Sequence, residues 1–232
     1  MYYFRHADER GRANFGWLDS KHSFAFGSYY DPEHLGLSAL RVINDDTVKA
    51  GAGFGTHGHR DMEIISYVLE GAIEHKDSMG QQYIVPAGDI QRMSAGTGVT
   101  HSEFNHSKSE DLHFLQIWIV PDKKGIAPSY QQKKVLQQGP LTPLVTPDGR
   151  DGSLSMQQDA SIYRLQLKAG EAQPLDTRQR PGYLHVISGV ADVNNNALKA
   201  GDALGASQEQ LHVVAKADLT ALWFDLPAIE GS

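Results

Sequence analysis

Short apolar and β-branched runs, separated by Gly, Asp and Pro, dominate the chain from Leu37 onward. LSALRVIND ends in an Asn44–Asp46 turn, and IISYVL (Ile64–Leu69) stops at Glu70–Gly71. Ala72–His75 runs into the turn DSMG, Gln82–Val85 into Pro86-Ala-Gly88-Asp89, and Leu112–Val120 (LHFLQIWIV) is apolar on both alternating faces. Runs of this length at roughly 8–12-residue spacing, with no convincing helical period, predict an all-β barrel or sandwich. Residues 1–36, rich in aromatics and turn formers such as Phe15, Trp17, Phe24, Tyr29 and Asp31-Pro32, predict short strands and turns packed over that core.

The pattern lapses between Pro121 and Gly152, where KKG, PSYQQKKVLQQGP and TPDGRDGS are polar and turn-rich. This stretch predicts a connector with a domain boundary near residue 150. Strand-like runs resume from Ser153, and two phrases echo the first half. VLEGAIEH (Val68–His75) returns as VISGVADV (Val186–Val193), and VPAGDIQ (Val85–Gln91) as LKAGDAL (Leu198–Leu204). The offset of about 115 residues suggests two copies of one β unit. The expected division is an N-terminal domain over 1–125, a connector over 126–152, and a C-terminal domain over 153–232.

Charge and composition narrow the function classes. With 28 acidic and 21 basic residues the formal charge is −7, which opposes nucleic acid or an anionic membrane as a partner. Cysteine is absent, so disulfides, thiolate metal sites and a cysteine nucleophile are all excluded. The N-terminus lacks the apolar core of a signal peptide, and no run reaches the ~20 residues a membrane helix needs. A soluble, monomeric, cytoplasmic protein is expected. Any bound metal must be held by His, Asp or Glu.

Two motifs supply such ligands. His57-x-His59 follows a glycine-rich entry (Gly51, Gly53, Gly55), and His101-x-Glu103 follows Ser94-Ala-Gly-Thr-Gly98. In an extended strand, residues i and i+2 share a face, so each pair can aim two ligands into one space. Imidazole and carboxylate suit Fe(II), Mn, Co, Ni, Cu or Zn and disfavour Ca or Mg. His75, His106, His113 and Gln116 are candidates for lining such a pocket, and Glu63 for a role beside the ligands. In the second half His185 and His212 stand alone, as packed or hydrogen-bonded histidines do.

The run from Gly51 to Glu63 resembles the first cupin motif, although Gly71 falls one residue later than that motif expects. Gly80, Pro86 and Gly88 match the second cupin motif, but Gln91 stands where its histidine belongs. That departure, with H-S-E at 101–103, is similar to the pirins. HSFAFGSYYDP, LRVINDD, GFGTHGHRDMEI, HKDSMG, MSAGTGVTHSEFN, LQIWIVP and TPDGRDGSL all look like pirin sequence, most strongly over residues 15–125. The resemblance implies a bicupin, two jelly-roll-like β-barrels packed face to face, with one divalent transition metal in the N-terminal barrel, Fe(II) foremost. It implies His57, His59, His101 and Glu103 as the ligands, with Glu103 also taking the substrate proton. It further implies quercetin 2,3-dioxygenase activity on flavonols with O2, releasing carbon monoxide. The alternative it carries is a metal-binding regulatory protein acting through protein contacts.

Overall fold

The structure, a computed structural model, describes residues 2–228. Met1 and residues 229–232, included in the expected domains, lie outside the described residues. The described residues form 22 strands and a single 3-10 turn at Arg150–Gly152, so the all-β expectation holds.

The strands make two barrels, each closed by a seven-stranded and a four-stranded sheet. In the first barrel the large sheet runs Ser129–Lys134, Asp89–Ser94, Glu63–Glu70, Leu112–Ile119, Leu40–Val48, Leu18–His22, Gly11–Asn14. Its small sheet runs Gly53–His59, Val99–Asn105, Ala72–Asp77, Gln82–Pro86. In the second barrel the large sheet contains Tyr2–Arg5, Ala203–Ala206, Gly182–Ser188, Leu219–Asp225, Ser161–Leu167, Leu141–Thr146 and Leu154–Ser155. The internal repeat is structural: Gly71 and Gly189 make the same strand-to-strand turn at φ +77° and +89°, and Gly88 and Gly201 follow at +86° and +84°. Positive φ is open to glycine without steric cost, which is why the repeated phrases share it.

Alternation sorts each central strand between two cores. Ile43, Ile65, Leu115 and Ile117 of the first barrel pack against Leu144, Ile162, Tyr183, Leu222 and Phe224 of the second, making the seam between the two large sheets. This face-to-face packing matches the bicupin expectation. Residues one position along face the barrel interiors instead. The second interior is filled mainly by apolar side chains, among them Leu165, Leu184, Val186, Leu204, Val213 and Trp223. His185 points to the seam and is buried, and His212 is exposed.

Two segments depart from the expected organisation. The stretch 126–152 is built into both barrels rather than joining them: Ser129–Lys134 pairs with Asp89–Ser94, and Leu141–Thr146 pairs with Ser161–Leu167. Ser129–Lys134 (SYQQKK) escapes the hydrophobic pattern because it is an edge strand, held by backbone pairing and decorated with lysines. The N-terminal Tyr2–Arg5 strand crosses to the second barrel and pairs with Ala203–Ala206. There Arg5, 2% exposed, donates to the Ser23 carbonyl at 2.8 Å and the Tyr29 hydroxyl at 2.7 Å, clasping the first barrel. No helix among the described residues is long and apolar enough to cross a membrane.

Candidate metal centre

His57 and His59 sit on Gly53–His59, and His101 and Glu103 on Val99–Asn105, adjacent strands of the small sheet. Both pairs occupy extended backbone, so the i, i+2 geometry predicted from the sequence is realised. His101 lies directly opposite His57, and the register then jumps so that Glu103 faces Phe54. Just past that shift Gly53 lets the two strands approach closely, because a Cβ there would fall on the Glu103 carbonyl oxygen and the Phe104 Cα. Gly55 has no such constraint, but its carbonyl accepts the Nδ1–H of His57 at 2.8 Å. A carbonyl can only accept, so Nδ1 carries the proton and Nε2 of His57 presents a lone pair.

The three Nε2 atoms converge. His101 Nε2 is 3.0 Å from that of His59 and 3.1 Å from that of His57. Lone pairs at that spacing repel unless a cation or proton lies between them. Cis ligands of one ion at M–N distances of ~2.1 Å would stand about 3 Å apart. Burial, together with the neighbouring imidazoles, pushes His59 down to about 4, and burial lowers His101 as well. Both rings are therefore neutral near pH 7, the form in which imidazole ligates. The donor set fits a transition metal.

Glu103 is the carboxylate of the cluster and is 3% exposed. Burial pushes its pKa up, but His101, His75 and hydrogen bonds from Gln116 and Ser66 outweigh this and hold it below the ordinary value. Oε1 accepts from Gln91 Nε2 at 2.6 Å and Ser66 Oγ at 3.2 Å, and Oε2 from Gln116 Nε2 at 2.8 Å. The four expected ligands do not form a single tight group. His57, His59 and His101 make one set with ligand atoms within 4.8 Å, while His75, His101 and Glu103 make an overlapping second.

The other candidates separate cleanly. Gln116 is at the site through its bond to Glu103. His75 is fully buried, donates from Nε2 to Asp77 Oδ2 at 2.9 Å, and packs its ring 5.4 Å from that of His101. His106 is exposed and pairs with Glu74 at 3.3 Å, and His113 bonds Asp45 at 2.6 Å on the seam side of its strand. Glu63 also lies on the seam side, three residues from inward-facing Ser66. It accepts the Ser94 hydroxyl at 2.8 Å, and burial raises its pKa. Asp77, Ser66 and Tyr130 reach the site without a sequence signal, because only strand pairing brings them there. A cleft of about 530 Å³, lined by Gly58, His59, Ser78, Gly98 and Thr100 among others, opens beside His59.

Comparison with known proteins agrees with this architecture. The Pirin family model matches residues 3–119, and the model for the quercetinase C-terminal cupin domain matches 143–226. The quercetin 2,3-dioxygenase of Escherichia coli K12 is 48% identical over 231 residues, covering 99% of this chain and all of that protein. A pirin-like protein of Caulobacter vibrioides is 42% identical over 207 residues, covering 87% of this chain and 89% of its own length. The crystal structure of YhhW from Escherichia coli superposes with a TM-score of 0.97 at 47% identity over the whole of both chains. Bacterial pirin YhhW in complex with nickel(II) superposes at 0.95 with 48% identity, covering 99% of this chain and all of that one. This chain belongs to the pirin family.

Proposed function

We propose that the protein is a metal-dependent dioxygenase that opens quercetin-type flavonols with O2 and releases carbon monoxide. His57, His59, His101 and Glu103 hold one divalent transition metal. The observation that carries this reading is the convergence of three imidazole Nε2 atoms at 3.0–3.1 Å beside a buried, ionised carboxylate. The relatives named quercetin 2,3-dioxygenase support it.

When bound, the ion supplies Lewis acidity and a template for substrate oxygen and O2. The chain's own residues do the rest. The Gly55 carbonyl fixes the tautomer of His57. Glu103 has about four lone-pair positions. Two on Oε1 are taken by Gln91 and Ser66, and one on Oε2 by Gln116. One Oε2 position remains. Glu103 can offer it to the ion as a ligand or to the proton of the flavonol 3-hydroxyl as a base, but not to both at once. In the second role it leaves an enolate for O2 to attack. Trp118, edge-on to His59 with ring centroids 5.1 Å apart, supplies an aromatic wall against which a flat substrate can lie.

The test is loss of quercetin absorbance in air, with carbon monoxide measured, for protein loaded in turn with Fe(II), Mn, Co, Ni and Cu. Turnover by the wild type and its loss in His57→Ala are expected. A wild type inert with every one of these metals would overturn the reading.

A further inference from the structure

The large sheet of the first barrel carries a row of polar side chains facing the histidine cluster. Gln91, Ser66, Gln116, Asn44 and His22 are successive cross-strand partners and so share one face. Gln91, Ser66 and Gln116 direct their hydrogen bonds to Glu103 and to one another. The next two do not. Asn44 and His22 are 3% and 4% exposed, yet Asn44 Oδ1 and His22 Nδ1 find no protein partner. Buried polar atoms without partners are costly, and a fold retains them where something uses them. Nothing in the architecture demands polarity here, since the second barrel fills its interior with leucine, valine and tryptophan.

A second line of contacts leads from the histidine cluster to the same place. Trp118 stands edge-on to His59 at 5.1 Å, Phe26 edge-on to Trp118 at 5.4 Å, and His22 edge-on to Phe26 at 5.3 Å. Trp118 and Phe26 are half-buried, and Trp118 Nε1 is a third buried group without a partner. One line is aromatic and the other is amide and imidazole. They start at the cluster and meet at His22.

We infer that Asn44 and His22 form a hydroxyl-reading subsite, bonding a phenolic hydroxyl of the substrate remote from the reacting one, while Trp118 and Phe26 flank the ring that carries it. This rests on the flavonol reading above and goes further, since it selects hydroxylated over bare flavonols. A site built to bond a hydroxyl leaves its own groups unpaired when the hydroxyl is missing, and that is what makes it selective.

The test compares quercetin with 3-hydroxyflavone, which keeps the 3-hydroxyl and 4-carbonyl and lacks every other hydroxyl. Both are measured by kcat/KM in air and by anaerobic binding to the metal-loaded protein. The wild type is expected to prefer quercetin by roughly 10-fold or more. In Asn44→Leu that preference falls below about 3-fold through loss on quercetin alone, with metal content unchanged. His22→Phe, which keeps the ring's bulk, carries the same test should the leucine variant fail to fold. An unchanged preference in the folded variants overturns the subsite and leaves the flavonol reading standing. Selective anaerobic binding that the variants abolish, without turnover, keeps the subsite and removes the dioxygenase. A wild type that binds neither flavonol removes both.

Discussion

Gln91 donates its amide N–H to Glu103 Oε1 at 2.6 Å while its amide oxygen accepts the hydroxyl of Tyr130 at 2.9 Å. The second bond sets the first. With Tyr130 donating to the amide oxygen, the NH2 group must face the carboxylate. A flipped amide would put two acceptors face to face. Gln91→Leu keeps the volume and removes the donor, and is expected to weaken metal binding and flavonol turnover by about 10–100-fold. Tyr130→Phe should shift both the same way by a smaller factor. Competition for metal against a chelating dye reads the first quantity independently of activity. Full metal affinity in Gln91→Leu would show that Glu103 is positioned without this pair.

His59 predicts a pH dependence of the metal-free protein. Its pKa is lowered to about 4 by burial and by the neighbouring imidazoles of His101 and His57. The unfolded chain, with a histidine near 6.5, then binds the proton more tightly than the native state. Stability from this group is therefore complete above pH 6.5 and is lost as pH falls towards 4. Thermal melts of the metal-free wild type are expected to drop over that window more steeply than those of His59→Gln, and the His59 ring resonances in NMR should stay in the neutral form at pH 6. Protonation of that ring near pH 6.5 would contradict the burial argument.

Asp46 works with the opposite sign. It lies inside the first barrel at 3% exposure, and burial, reinforced by Asp45 and Glu103, raises its pKa to about 7 despite a hydrogen bond from Ser20. A raised carboxyl favours folding below the unfolded value near 3.9 and loses that contribution as pH climbs to 7. Asp46→Asn removes the ionisation and is expected to stabilise the protein at pH 8 by on the order of 2 kcal/mol relative to wild type. The gain should shrink at pH 5. Paired melts at the two pH values decide it, and an equal effect at both would show that Asp46 is not neutral in the native state.

The shared face within each candidate motif was legible because a strand's period of two is local: H-x-H and H-x-E declare it without knowledge of the fold. The two-barrel plan was legible through the turn glycines of the repeated phrases, whose positive φ constrains the residue type. What pairing alone decides was not. Glu63 sits in the first cupin motif, yet alternation from inward-facing Ser66 sends it to the seam. Gln91 was visible as a departure from that family pattern, but its bond to Glu103 depends on how three strands align. Tyr130 lay in a stretch read as connector because an edge strand needs no apolar face.

The glycines before His57 yield a final prediction, because two that look alike in sequence differ in space. Gly53 lies opposite Phe104, just past the register shift, where a Cβ would overlap backbone atoms of Glu103 and Phe104. Backbone cannot rotate away as a side-chain tip can, so Gly53→Ala must spread the two strands that carry the candidate ligands. The expected cost is about 1–3 kcal/mol of stability, together with at least a 10-fold loss of metal affinity as Glu103 shifts relative to the imidazoles. Gly55 is exposed, has no atom within 4 Å of a Cβ and keeps its carbonyl on substitution. Gly55→Ala should stay within about 0.5 kcal/mol of wild type and retain its metal. Melting temperature and metal titration on the pair separate close approach from simple flexibility. Equal losses in both variants would mean that the glycines act through chain freedom, and that the close approach at Gly53 does not set the spacing of the site.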